Sequence, residues 1–334
     1  MRKLTGTVVV LTAVMSIVPT LVATSATGSG RNPFAGDEAW IAYQTFRDGQ
    51  EGTWLIHPDG TGDHQIDEAF DGALILPNWS PDGSTIVMTS RDTGGREPLY
   101  EYDLATDTIS GPLFPCRGRC LGDDEPIYSP DGTKVAFERA SFPFVDGAPS
   151  DCGLWIGNLA TGRANRVTSN ARCDREYFPR WSPDGTQLTY WRWREDATGT
   201  TGTAVFVSDA DGTHERRLTE WTDFAGDPDW SPDGQWIVFS THPLTAFNFQ
   251  LVVSDLFRMR PDGSDVQRLT SFNSIRRRAT QPRFTPDGQW ILFTAVTPQR
   301  RSLWVVPAAG GDPIELVRGG IYTHGTWQPD PGGV

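Results

Sequence analysis

One five-residue phrase recurs along this 334-residue chain: Trp79-Ser-Pro-Asp-Gly83, Tyr128-Ser-Pro-Asp-Gly132, Trp181-Ser-Pro-Asp-Gly185, Trp230-Ser-Pro-Asp-Gly234 and Phe284-Thr-Pro-Asp-Gly288. The aromatic positions lie 49, 53, 49 and 54 residues apart, and a decayed copy, Trp327-Gln-Pro-Asp-Pro331, follows 43 residues later. Self-similarity at this period marks a propeller or a solenoid. Pro presets φ at the first central position of a tight turn, Asp suits the next, and Gly relieves crowding at the exit. Each phrase therefore ends one strand and launches another.

The flanking sequence repeats as well. An apolar run begins two residues past each Gly: Thr85–Met88, Lys134–Phe137, Gln187–Tyr190, Trp236–Phe239 and Trp290–Phe293, with Trp40–Tyr43 matching them upstream. A third element pairs an apolar residue with an aromatic one, as in Leu99-Tyr100, Leu154-Trp155, Val205-Phe206, Leu256-Phe257 and Leu303-Trp304. Asp59-Gly60, Asp211-Gly212, Asp262-Gly263 and Gly310-Gly311 then supply hairpin turns, and a short fourth run such as Arg216–Thr219 ends the unit. Four short strands per unit describe propeller blades. First strands run into Trp79, Tyr128, Trp181, Trp230, Phe284 and Trp327, offset by one unit from the others, so residues 322–328 are left as an orphan strand. Pairing that strand beside Trp40–Gln44 closes the ring and leaves no open edge. The expectation is an all-β fold, a six-bladed propeller of four-stranded antiparallel blades sealed by its C-terminal strand. Asn32-Pro-Phe34 is a rival for the same seat.

The phrase and its setting resemble the TolB-type, WD40-like propeller repeat, over roughly residues 34–330. The resemblance implies the propeller fold. There is no room before the first blade for the N-terminal α/β domain of TolB, so a role in the Tol–Pal envelope system carries over less well than the fold. The related prolyl oligopeptidase propellers come with a hydrolase domain that no segment here supplies.

Met1-Arg-Lys3 and the apolar stretch to Ala23 read as a secretory signal peptide over residues 1–26, cleaved after Ala23 or Ala26, with an uncleaved anchor as the alternative. Residues 27–33 form a flexible lead and 34–330 the propeller, giving an exported protein with no membrane span after cleavage. In an oxidising compartment Cys116, Cys120, Cys152 and Cys173 read as disulfides. Cys116–Cys120 with Cys152–Cys173 is reasonable, but three connectivities remain open. The formal charge of −13 becomes −15 once Arg2 and Lys3 leave with the signal. That disfavours nucleic acid as a partner. Arg276-Arg-Arg278 is a local exception, read as a solvated loop.

In a four-stranded meander the Pro-Asp-Gly turns share one face, and the long irregular segments 114–125, 140–152, 170–178, 192–203, 220–227, 241–255 and 271–281 share the other. Binding is expected on this loop face and at the channel mouth within it. The position three before each phrase aromatic places Leu76, Glu125, Phe178, Asp227, Gln281 and His324 around the channel. Glu125, Asp227 and His324, with Asp123 or Glu176, offer oxygen and imidazole ligands for a hard cation such as Ca²⁺, against the plainer reading of a wet polar pore needing no cofactor. Trp191, Trp193, Trp221, Phe224, Phe247 and Phe249 crowd the loops of the fourth and fifth blades, where aromatics can stack on a peptide or sugar, Trp191 being assigned to packing. Neither a Gly-x-Ser-x-Gly elbow nor a metalloprotease His pair is present. The functional expectation is a monomeric binding scaffold for a protein or a cell-envelope polymer, with Glu125, Asp227, Gln281, His324, Trp193, Trp221 and Phe224 as contact residues. A secreted carbohydrate-active lyase or hydrolase using the channel carboxylates is the alternative.

Overall fold

Alternation along each second strand sends neighbouring side chains to opposite faces of the sheet. In Thr85–Arg91, Ile86 and Met88 join one core with Ala42, Leu55 and Trp79, while Val87 joins another with Tyr128, Val135 and Phe137. Both faces are buried, which is why the run reads as continuously apolar instead of alternating. The computed structural model describes residues 33–34, 37–47, 49–91, 97–115, 120–141, 153–168, 176–195, 201–241, 254–272, 278–297, 300–317 and 322–330, with the backbone only at 120–121, 140–141, 176, 195 and 201.

Six four-stranded antiparallel sheets result, each a meander from an inner to an outer strand. The inner strands are Tyr322–Trp327 of blade 1, Ala73–Trp79 of blade 2, Cys120–Tyr128 of blade 3, Glu176–Trp181 of blade 4, Ala225–Trp230 of blade 5 and Arg278–Phe284 of blade 6. Six apolar clusters fill the spaces between successive blades, the last joining Leu292, Leu303 and Val305 of blade 6 to Ile41 and Tyr43 of blade 1. The closing strand pairs as expected: Trp327 lies opposite Ile41, Thr326 opposite Ala42, Thr323 opposite Gln44 and Tyr322 opposite Thr45. Phe34, from the rival segment, instead packs on the rings of Trp327 and Trp290, at 4.7 and 5.6 Å between centroids.

Each phrase forms the turn between first and second strands, and its residues have separable tasks. Ser231 Oγ donates to Asp233 Oδ1 (2.6 Å) and accepts from the Trp236 N–H (2.9 Å), while Asp233 Oδ1 also accepts from the Gln235 N–H (3.0 Å). The same set recurs around Ser80, Ser129, Ser182 and Thr285. At two blades the aromatic ties the blade to the one before it: Trp79 Nε1 donates to the Thr326 carbonyl and Trp181 Nε1 to that of Ile127. At the end of the ring, Gly83 (φ +67°) lies so close to the Pro329 carbonyl that a Cβ would come within 2.9 Å of it. The Ser231→Ala variant is expected to lose about 1 kcal/mol, read as a lower denaturation midpoint with unchanged slope. Asp82, Asp131, Asp184 and Asp233 are all held below the usual carboxylate range, chiefly by the Ser hydroxyl. The stability they add is present at neutral pH and is lost as pH falls through those lowered values.

Candidate functional site

The ring of residues three before the aromatics has an unusual backbone. Leu76, Glu125, Phe178, Asp227, Gln281 and His324 all have φ between 51° and 56°. The strand pairing skips at each of them, so every inner strand carries a β-bulge there. Pro follows five of the six (Pro77, Pro126, Pro179, Pro228, Pro282) and Gly325 follows the last. A bulge leaves backbone unpaired, which is where a residue without an N–H fits inside a sheet. This X-Pro-x-aromatic signal was present in the sequence beside the louder phrase.

The bulges bring Glu125, Asp227, Gln281 and His324 together midway along the inner strands, with Glu125 and Asp227 buried and Gln281 and His324 part-buried. Side chains reach from blade to blade to catch the N–H groups of the left-handed residues. Glu125 accepts from the Phe178 N–H, Asp227 Oδ2 from the Gln281 N–H (3.0 Å), and Gln281 Oε1 from the His324 N–H (3.1 Å). Gln281 Oε1 also accepts from Thr294 Oγ1, so its amide nitrogen faces His324 Nε2 at 2.5 Å. That arrangement makes Nε2 the acceptor and puts the imidazole proton on Nδ1, which has no hydrogen-bond partner among the described residues. Phe178, on the opposite blade, stacks with the His324 ring at 5.8 Å and 8°.

Two arginines complete the plug. Arg180, 3 % exposed, places its Nε 3.8 Å from Asp229 Oδ1 and donates from Nη1 to the Pro179 carbonyl. Arg283 makes the equivalent bond to the Pro282 carbonyl. Asp229 accepts from the Phe284 N–H (2.9 Å). Burial, followed by the charge of Asp124, pushes the Glu125 carboxyl well up; burial also raises Asp229, to about 6, against the pull of Arg180. His324 is pushed down to about 3, again mainly by burial, and stays neutral at physiological pH. The space left among Leu76, Glu125, Phe178, Arg180, Arg283 and His324 is about 10 Å³. That is at most one water. The channel at this level is a packed ionic core. Arg180, Asp229 and Arg283 were missed in the sequence because they precede the phrase by one residue and look like ordinary strand charges.

The remaining predicted residues separate from this core. Asp123, 1 % exposed, is gripped by Arg139 through two bonds of 2.6 and 2.7 Å and is part of a structural pair. Trp221 opens a short 3-10 turn, Trp221–Asp223; its ring packs on Phe206 and is covered by the Arg194 guanidinium at 4.2 Å. Phe224 caps that turn in the left-handed region and is half-buried, as is Trp193. Trp191 stacks on Tyr177 at 4.5 Å and packs against the core between blades 4 and 5. Phe247, Phe249, Cys116, Cys152 and Cys173, with the side chains of Cys120 and Glu176, lie outside the described residues, and with them the disulfide expectation. Among the described residues, no three His, Cys, Asp or Glu side chains converge as a metal site would require.

No family model matches the chain. An uncharacterized protein of Agrobacterium fabrum is 28% identical over 207 residues, covering 62% of this chain and 60% of the relative. The Tol-Pal system protein TolB of Francisella tularensis subsp. holarctica is 30% identical over 112 residues, 34% of this chain and 23% of that protein. The chain thus spans less than two thirds of the length of these curated relatives. Among solved structures, TolB from Acinetobacter baumannii superposes with a TM-score of 0.66 at 21% identity, over 87% of this chain and 67% of that one. A putative TolB from Agrobacterium tumefaciens gives 0.60 at 23%, over 88% and 95%.

The chain has the β-propeller fold of the TolB structures.

An oligogalacturonate lyase in complex with manganese shares the TolB-like ring at lower likeness, with a TM-score of 0.57 at 17% identity, over 83% of this chain and 73% of that one. At these identities the solved structures speak for the fold alone. Among the described residues of the TolB-like propeller, no helix is long and apolar enough to cross a membrane.

Proposed function

We propose that this TolB-like propeller is an exported binding scaffold that presents its loop face to a protein or a cell-envelope polymer. The carrying observation is the filled channel. Glu125, Asp227, Gln281 and His324 already serve one another and the neighbouring backbones, and about 10 Å³ remains among the side chains there. Side chains consumed in this way have no approach for a substrate, which weighs against the lyase or hydrolase reading. What remains for recognition is the rim, where Trp193 and Phe224 keep part of their surface on a rigid ring. Trp221 serves the rim differently, because its ring is held between Phe206 and Arg194.

The test is retention of envelope extract on the immobilised chain, compared with a double variant, Trp193→Ala with Phe224→Ala. Both chains are first shown to melt alike. Loss of the retained partner from the variant is expected. Identical retention by both would refute the loop face around blades 4 and 5 as the contact surface.

A further inference from the structure

A cleft of about 500 Å³ opens on the same loop face at the seam where the ring closes, between blade 6 and blade 1. Its lining includes Gln44, Phe46, Glu51, Val296, Arg278 and Arg301. The strand register explains why the two arginines meet there. Arg278 begins the inner strand of blade 6 opposite Val296, and Val296 lies opposite Arg301 on the third strand. Directly opposed residues on adjacent antiparallel strands project to one side of the sheet. The sequence therefore sets two guanidiniums on one face with a valine between them. Two cations on one face about 10 Å apart, two strand spacings, repel one another unless a counter-charge compensates them.

Nothing among the described residues does so. Glu51, the carboxylate in the lining, accepts from Arg91 (2.7 Å) and from Gln44 Nε2 (2.6 Å). Arg300, also in the lining, pairs with Glu315 at 3.2 Å. The side chains of Arg278 and Arg301 have neither an ion pair nor a hydrogen bond among the described residues, although Arg278 is half-buried. Burial first, and Arg301 second, lower the proton affinity of Arg278, as expected where a cation lacks its counter-charge. Beside them Phe46 is 51% exposed, one of two large hydrophobic side chains left so open among the described residues. The other polar groups of the cleft are either bonded already or buried away from its surface. Gln44 Nε2 serves Glu51 and Thr323 Oγ1 donates to the Gln44 carbonyl, whereas Gln44 Oε1 and Thr45 Oγ1 have no hydrogen-bond partner but are buried from solvent.

We propose that this seam cleft is a recognition subsite for an acidic segment of a partner polypeptide. Arg278 and Arg301 take a carboxylate, and Phe46 with Val296 takes the apolar residue beside it. The chemistry favours a peptide over an acidic sugar. A sugar presents several hydroxyls that need hydrogen-bond partners, and the unpartnered Gln44 Oε1 and Thr45 Oγ1 lie beneath the surface, where a hydroxyl cannot reach them without rearrangement. A carboxylate next to an apolar side chain requires only what is free here: two cations and an uncovered ring. The volume falls in the range of small-ligand sites, enough for a few residues. The inference rests on the scaffold reading and names one of its contacts.

Calorimetric titration of the full chain with the blocked tripeptide acetyl-Phe-Glu-Leu-amide tests it. Saturable binding that weakens as salt is raised is expected. Replacing Glu by Gln in the peptide, or making the double variant Arg278→Gln with Arg301→Gln, should weaken binding about tenfold or more. Phe46→Ala, an exposed position that leaves the core intact, should also weaken it. Binding that ignores the charge of the peptide, or that survives the arginine substitutions, would overturn the proposal. Preference for trigalacturonic acid over the tripeptide would overturn it too. A chain that takes up no tripeptide yet still retains a partner through Trp193 and Phe224 would remove this subsite alone and leave the scaffold reading standing.

Discussion

Replacing Arg180 with methionine is expected to destabilise the fold by about 3–5 kcal/mol, the cost of leaving buried carboxylates without their cation. For a domain of this size that is a drop in melting temperature on the order of 10 °C. Arg180 is 3 % exposed beside Asp229, and its charge also acts on Glu125 and Asp227. Methionine fills similar volume and contributes no charge, so the loss reports electrostatics more than packing. The pH dependence separates the two. Glu125 and Asp229 already hold protons more tightly folded than unfolded, so their contribution to stability falls as pH rises through that raised range, about 6 for Asp229. Removing the cation raises both carboxyls further. The variant should therefore lose less at pH 5, where they can protonate in place, than at pH 8. A second substitution, Asp229→Asn, should restore part of the loss at pH 8. Equal destabilisation at both pH values would show that Arg180 matters through its packing instead.

Removing residues 322–334 should have the second large effect. The truncation strips the inner strand from blade 1, exposing the edge of Ile41–Arg47, and takes Tyr322 and Trp327 out of the core between blades 6 and 1. It also deprives Trp79 Nε1 of the Thr326 carbonyl. An uncovered strand edge beside an opened apolar core is a template for pairing with another chain. Light scattering during size-exclusion chromatography should show the truncated chain associating, with the cooperative melt weakened or gone. The point variant Trp327→Ala, which keeps the strand, should lose about 3–5 kcal/mol and remain a single species. A truncated chain that stays monomeric and melts like the full one would mean that the closing strand is dispensable.

The fold was legible because its instructions are local and repeated. Ser-Pro-Asp-Gly forms its turn from hydrogen bonds spanning five residues, such as Ser231 Oγ to the Trp236 N–H. The apolar runs after it carry both faces of a strand in four residues. Counting strands then left one unpaired at the C-terminus, and the seat beside Ile41 was the one vacancy. The six channel positions could also be found by counting back from the aromatics. Their state could not. That Phe178 stacks on His324 across the ring, or that Arg180 answers charges on neighbouring blades, depends on residues tens to well over a hundred positions apart.

The sequence by itself determined the number of blades, the turn that starts each one and the strand that seals them, because turn chemistry and two-residue alternation act over a few bonds. Only the tertiary structure decided that the central acids and histidine are interior. Whether six inner strands enclose water or one another depends on the radius set by all six blade contacts together. The same closure brings Phe46, near the start of the propeller, to Arg278 and Arg301, near its end. No local pattern encodes that meeting; it exists because the ring shuts there.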